Sequence, residues 1–185
     1  MNEAIFAQLQ KDMDHSIGAL RKELAKLRTG RASPALLEQI VVEYYGATTP
    51  LNQLATLSAP EPRLLVIQPY DRTAMGDIEK AILKSDLGLV PNNDGKIIRV
   101  PIPQLTEERR KDLVKHVKRI AEEFRVSVRN HRRVAVERLK EAEKKKEITA
   151  DEHKHGQDRV QKITDDFIGR IEKIVKAKEE EVMEV

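Results

Sequence analysis

The sequence predicts an α+β protein: a long three-helix bundle formed by residues 1–29 and 105–185, with a small β/α/β domain, residues 30–104, inserted into it. Three observations lead there. Apolar residues recur every three or four positions near both ends of the chain. The middle is instead rich in β-branched and aromatic runs separated by turn clusters. The helical stripes at the ends are too long to be buried except against one another.

The first helix spans 3 to 28, where Ile5, Leu9, Met13, Ile17, Leu20, Leu24 and Leu27 form one apolar face. It runs into "TGRASP", where Gly30 can take left-handed backbone angles and Pro34 biases Ser33 away from the α region. In the middle, "IVVEYY" (40–45), "RLLVIQPY" (63–70) and "KIIRVPI" (96–102) read as strands, with "APEP" and "PNNDG" as turn clusters between such runs. "TAMGDIEKAILKS" spaces Met75, Ile78 and Ile82 as one short helix.

The helical period returns after Thr106, the expected N-cap, through Leu113, Val117, Ile120, Phe124, Val128, His131 and Ala135. A third helix opens at Thr149, whose spacing to Glu152 is that of a capping box, and continues through Val160, Ile163, Phe167, Ile171, Ile174 and Val182. Only "KKKEIT" separates the two, so they should fold back antiparallel. The tail "KAKEEEVMEV" reads as a solvated helix end, and Gly156 as a point where two helices can approach closely.

Two crossings join the parts, "TGRASP" outward and "RVPIPQLT" back. Gly30 supplies freedom on one, while Pro101 and Pro103 stiffen the other, so Gly30, Pro34, Pro101, Pro103, Gln104 and Leu105 are expected to form a two-stranded hinge.

The chain has 185 residues and no cysteine, which excludes disulfides and thiol chemistry. No apolar run reaches membrane-spanning length and the N-terminus is too acidic for a signal peptide, so a cytoplasmic protein is expected. Net charge is only +3 although 35% of residues are charged, so the sign must be sought in patches. Residues 31–104 carry seven Lys/Arg against eight Asp/Glu, which leaves the positive excess on the flanks.

That excess concentrates in "RVSVRNHRR" (125–133), with four arginines and no acid. On a helical wheel Arg125, Arg129, Arg132 and Arg133 fall within roughly 100° of arc, off the apolar face. Lys111, Lys115 and Lys118 prolong it, and Glu122 interrupts it. A charge run on a bundle is most often a solvated face, but such faces usually mix signs, and arginine is the better fork for phosphate. With Arg28 and Arg31 near the expected hinge, the pattern favours phosphate binding. The six Phe and Tyr residues fall mostly at core or strand positions, and no helix-turn-helix or zinc-finger signature is present. A folded RNA backbone read by shape and charge remains. The alternative is a non-enzymatic coiled-coil adaptor whose seam takes up another protein's helix.

An enzyme is not expected. The five histidines, His15, His116, His131, His153 and His155, all lie on predicted helices without a phosphate loop or nucleophile beside them. His153 and His155 point to different sides and read as surface residues; His131 reads as packing or bonding within the bundle rather than as a metal ligand. Tyr44 and Tyr45 should alternate faces of a strand.

In order along the chain, "LRTGRASPALL", "VVEYYG", "SDLGL", "IRVPIPQLTEERRKDLVK", "VSVRNHRR" and "VQKITD" resemble the ribosome recycling factor family over nearly the whole length. The resemblance implies a two-lobed L resembling tRNA. It also implies binding to large-subunit rRNA of the post-termination 70S ribosome. Elongation factor G with GTP would then drive separation into subunits and release from mRNA. It implies a central role for Arg132, positions near rRNA for Arg129, Arg28 and Arg31, and a mobile inserted lobe. No cofactor of its own is implied, GTP being the partner's, and a monomer is expected.

Overall fold

The computed structural model describes residues 3–184. In chain order the elements begin with α1 (Glu3–Ala25), a 3-10 turn (Pro34–Leu36), β1 (Val41–Tyr44), β2 (Ala47–Pro50) and the single turn α2 (Leu51–Leu54). Then come β3 (Ala55–Glu61), β4 (Leu64–Pro69), a second 3-10 turn (Arg72–Ala74), α3 (Met75–Lys84), β5 (Asn92–Asn93) and β6 (Ile98–Pro101). Two long helices, α4 (Glu107–Lys144) and α5 (Ala150–Met183), complete the chain. These form two compact units, Met1–Thr29 with Glu107–Val185, and Gly30–Thr106.

In the first unit the predicted stripes meet in one seam. Leu9, Met13, Leu20 and Leu24 of α1, Val117, Val128 and Leu139 of α4, and Val160, Phe167 and Ile171 of α5 are all buried in a continuous core. At about 1.5 Å per residue, the 38 residues of α4 reach about 57 Å. Gly156 lies inside this core: a Cβ there would sit 3.0 Å from Leu139 Cδ2 and 3.6 Å from Phe6 Cζ, so its hydrogen lets α5 close on its neighbours.

The reversal between α4 and α5 is specified locally. Lys146 takes a left-handed φ of 58°. The Glu147 N–H donates to the Ala142 carbonyl (2.9 Å) and the Lys146 N–H to that of Glu143 (2.9 Å), a Schellman closure. Ile148 is buried beyond it. Thr149 then caps α5: its hydroxyl accepts from the Glu152 N–H (3.1 Å), while the Glu152 carboxylate accepts from the Thr149 N–H (2.8 Å). The capping box expected from the sequence is present.

Three expectations at the ends of this unit need correction. The first helix stops at Ala25, not Arg28. The Leu27 N–H bonds back to Leu24 (3.2 Å), and Thr29 is buried with its hydroxyl donating to Glu181 (2.9 Å), so the chain turns inward before Gly30. The tail is not merely solvated, because Val182 is fully buried and Lys178 and Glu181 pair at 3.3 Å. Val185, the last residue of that stretch, and Met1 and Asn2 of the N-terminal reading, lie outside the described residues. His153 is no surface residue; its side chain is 15% exposed and Nδ1 meets the Glu143 carboxylate across the hairpin.

The second unit holds the β1–β2 hairpin and an antiparallel sheet of order β3-β4-β6-β5, over a core that includes Leu37, Val42, Leu51, Leu65, Ile67, Ile78, Ile82, Ile98 and Val100. Tyr45 does not continue β1: with Gly46 it forms a two-residue turn in which both φ are positive (49° and 76°), and it is 81% exposed. Tyr44 faces inward and its hydroxyl donates to Asp71 (2.7 Å), which pushes the phenol up to about 12. "APEP" and "PNNDG" are not simply turns either. Ala59, Pro60 and Glu61 belong to edge strand β3, with Pro60 inside a register shift between Ser58 and Glu61, and Asn92 and Asn93 form β5.

Of the residues expected at a hinge, Pro34 and Pro101 lie within regular elements of this unit. Pro34 opens the first 3-10 turn behind an extended Ser33 whose hydroxyl accepts from the Ala35 N–H (3.3 Å); Pro101, the last residue of β6, pairs with Leu64 of β4. Gly30 has φ 78°, and a Cβ on it would sit 3.0 Å from Leu105 Cγ. Pro103 and Gln104 are exposed and outside regular structure, and Thr106 immediately precedes α4.

Gly156→Val is expected to destabilise the bundle by about 1–3 kcal/mol through overpacking. Gly169→Ala, where nothing lies within 4 Å of the added Cβ, should stabilise it by up to about 1 kcal/mol. Denaturant unfolding followed by helical circular dichroism checks both; two changes of the same sign would contradict the packing described.

Candidate nucleic-acid interface

The basic stripe is built entirely on α4, whose seam residues Phe124, Val128 and Ala135 fix the rotation of the helix and so turn Arg125, Arg129, Arg132 and Arg133 away from the core. Arg129 and Arg133, four residues apart, are about 6 Å apart along the axis. Arg125 and Arg132 lie on the flank facing α5, and each makes a contact with that helix.

The four arginines are not equivalent. Arg125 Nε donates to Glu172 Oε1 (2.7 Å) and its Nη1 to Glu122 Oε2 (3.2 Å), with only 25% of the side chain exposed. Glu172 first, and then Glu122, hold its guanidinium above its ordinary pKa. Arg129 Nη2 donates to the other oxygen of Glu122 (2.8 Å) and is 44% exposed. Glu122 is thus shared, and the hydrogen bond from Arg129, then that from Arg125, hold its carboxyl below its ordinary value. The acid-free window of 125–133 therefore does not leave Arg125 uncompensated, because the acids come from one turn earlier and from α5. Arg125 is a fastener between helices.

Arg132 and Arg133 differ. Among the described residues no carboxylate pairs with either; Arg132 Nη1 donates only to the neutral Gln161 Oε1, at 3.4 Å, and Arg133 is exposed. Exposure alone does not mark a site, since Arg21 and Arg138 are exposed as well. The distinction is that two adjacent guanidinium groups lie on one arc with Arg129, whose single carboxylate is itself shared. Two other arginines of the bundle act as clasps: Arg159 pairs bidentately with Glu3 (2.8 and 3.0 Å) over the Phe6 ring, and Arg170 meets Asp14 (3.3 Å) over Phe167.

Arg28, exposed, follows α1 in the first unit, whereas Arg31, exposed, belongs to the second. Lys115 and Lys118 are exposed along the same arc, and Lys111 pairs with Glu107 (3.0 Å). His131 bonds within the bundle as expected, its Nε2 lying 3.1 Å from the buried Ser16 hydroxyl and 3.4 Å from that of Ser127. Among the described residues no group of three or more His, Asp or Glu side chains is placed to hold a metal ion, and no helix is long and apolar enough to cross a membrane. Sequence reasoning missed Glu172 and Gln161. Their significance depends on which turn of α5 lies opposite which turn of α4, and no local spacing carries that.

Such an arc can grip a polyanion by charge and by forked hydrogen bonds without reading bases. The model of the family described as "Ribosome recycling factor" matches residues 20–183. The ribosome-recycling factor of Carboxydothermus hydrogenoformans is 57% identical over 185 residues, covering 100% of both chains, and that of Bacillus subtilis is 55% identical with the same coverage. Among solved structures, the solution structure of a ribosome recycling factor has a TM-score of 0.75 at 48% identity, over 99% of this chain and 97% of that one. Another is the T. thermophilus factor, in models with E. coli elongation factor G bound to the E. coli post-termination complex. It has a TM-score of 0.65 at 49% identity, over 98% of each chain.

Because the Glu122 carboxyl is depressed, its ion pairs stabilise the fold above its ordinary value of 4.5 and lose that contribution as pH falls through the lowered one. Glu122→Gln is therefore expected to melt slightly below the unmodified chain at neutral pH, and the two should converge in acid. Thermal melts across pH check this; a gap that stays constant down to about pH 2 would contradict the pairing.

Proposed function

The chain belongs to the ribosome recycling factor family, and we propose that its α4 stripe is the surface that docks on ribosomal RNA. The protein binds the post-termination ribosome and, with elongation factor G and GTP, promotes its dissociation into subunits and release from mRNA. It is not an enzyme. GTP is hydrolysed by the partner, the chain needs no cofactor of its own, and its place of action is the cytoplasm, where ribosomes are. The observation that carries the function is full-length identity with recycling factors at 57% and 55%. What supports the choice of surface is the pair Arg132 and Arg133, which the fold leaves without a carboxylate.

A guanidinium already held by a carboxylate must break that pair before it can bind phosphate, whereas one held only by a neutral amide gives up little. Arg132 and Arg133 are therefore the principal phosphate ligands. Arg129 joins them by leaving a shared carboxylate, and Arg125 keeps α4 fixed on α5. Arg28 and Arg31 add positive charge at the ends of their respective units. Each neutralised phosphate releases counterions, so affinity should fall steeply with salt.

The hinge belongs to the same proposal. The chain passes between units at Thr29–Gly30 and at Thr106–Glu107. The left-handed Gly30 on the outward strand and Pro103 on the return strand support a hinge at these crossings. Moving a lobe is a separate step from docking a bundle.

Arg132→Ala is expected to weaken ribosome binding by about 10- to 100-fold, the value of a hydrogen bond to a charged group, while leaving melting nearly unchanged. Sucrose-gradient sedimentation of post-termination ribosomes, with and without elongation factor G and GTP, checks both binding and splitting. Unchanged affinity, insensitive to salt, would instead favour an adaptor that takes up a protein helix. Gly30→Ala should slow splitting while binding stays within about twofold, because the substitution strains a left-handed residue outside the docking surface; equal losses in both would refute the hinge.

A further inference from the structure

We propose that Gln161 is a positioning residue for Arg132: its side-chain amide holds the guanidinium on the α5 flank of the stripe while keeping a carboxylate away from it. The proposal rests on the reading of Arg132 as a phosphate ligand.

The amide stands between two charged groups. Its Nε2 donates to Asp165 Oδ1 (2.8 Å), one turn further along α5, and its Oε1 accepts from Arg132 Nη1 (3.4 Å). A guanidinium only donates and a carboxylate only accepts, so this is the one orientation of the amide that satisfies both neighbours. Asp165 is thereby occupied by a neutral donor, and no ion pair joins it to Arg132. Two turns earlier on α4, Arg125 faces the same flank of α5 and meets Glu172 at 2.7 Å, which neutralises it. The residue that α5 presents at each site thus decides whether an arginine of α4 becomes a fastener or stays available.

The weakness of the hold is consistent with this role. At 3.4 Å the Arg132–Gln161 contact is longer than the usual hydrogen-bond range of about 2.7–3.2 Å, whereas a guanidinium–phosphate fork is charge-assisted and shorter. Gln161 narrows where the guanidinium can go without competing with the phosphate that replaces it. A glutamate of the same length would compete.

The test uses the full chain with Gln161→Glu, Arg132→Ala and the double substitution. Binding to post-termination 70S ribosomes is measured over a salt series, with melting by circular dichroism. Gln161→Glu should weaken binding about tenfold and reduce the slope of log affinity against log salt by about one, as the loss of one phosphate contact does. In the Arg132→Ala background it should add nothing. Gln161→Met, neutral and of similar length, should cost only about two- to threefold and leave the salt slope unchanged, since it removes the tether without adding charge. The proposal is overturned if Gln161→Glu binds like the unmodified chain. It is equally overturned if that change costs as much without Arg132, since the new carboxylate would then act on the RNA directly. An unaffected Arg132→Ala would instead sink the premise beneath it, a result distinguishable from both.

Discussion

Burial of one apolar seam between α1, α4 and α5 is the constraint on which the rest of the structure depends. A helix of 38 residues has no intrinsic reason to stay straight or to present a chosen face. Here Met13, Leu20, Leu139 and Ile171, each essentially inaccessible to solvent, fix its rotation and its register against both neighbours. Gly156 removes the side chain that would hold α5 off, and the Schellman closure at Lys146 with the capping box at Thr149 sets where α5 begins. Once the seam is fixed, so is the direction in which each arginine points.

The seam also decides which arginines are consumed by the fold. By setting α5 against α4 in antiparallel register, it brings Glu172 to Arg125 and Gln161 to Arg132. The first contact is an ion pair that ties two helices; the second is a weak bond to a neutral group. Exposed ion pairs contribute little stability, so the pairing matters less for the melting of the bundle than for which positive charges remain available to a partner. A stripe that looks uniform in sequence becomes, in three dimensions, a fastened end and an available end.

Much of this was legible in the sequence because it is local. The helical periods near both ends of the chain and the Thr149 capping box follow from spacings within a few turns, whereas the close approach at Gly156 depends on Leu139 and Phe6 of the other two helices. What was not legible was either non-local or locally disguised. The early end of α1 depends on Thr29 finding Glu181, 152 residues away. The burial of Val182 is hidden by the charges around it. Strand β3 carries Pro60 at an irregular edge, where the missing N–H does no harm, so a composition typical of turns is part of a strand. Tyr45 adopts a left-handed conformation unusual for its type, so a strand-like composition conceals the hairpin turn there. For the site, the positions of Arg132 and Arg133 followed from the wheel, but the division of labour among the four arginines did not, since it requires knowing which turn of α5 faces which turn of α4.

The central claim is that Arg132 and Arg133, which the bundle leaves without a carboxylate, are the guanidinium groups that meet ribosomal phosphate. Its most direct test is a side-chain-resolution structure of the chain bound to the post-termination ribosome. The account predicts Arg132 and Arg133 nitrogens at about 2.7–2.9 Å from phosphate oxygens of large-subunit rRNA, with Arg125 still on Glu172. A complex in which Arg132 and Arg133 face solvent while another surface of the bundle meets the RNA would contradict it.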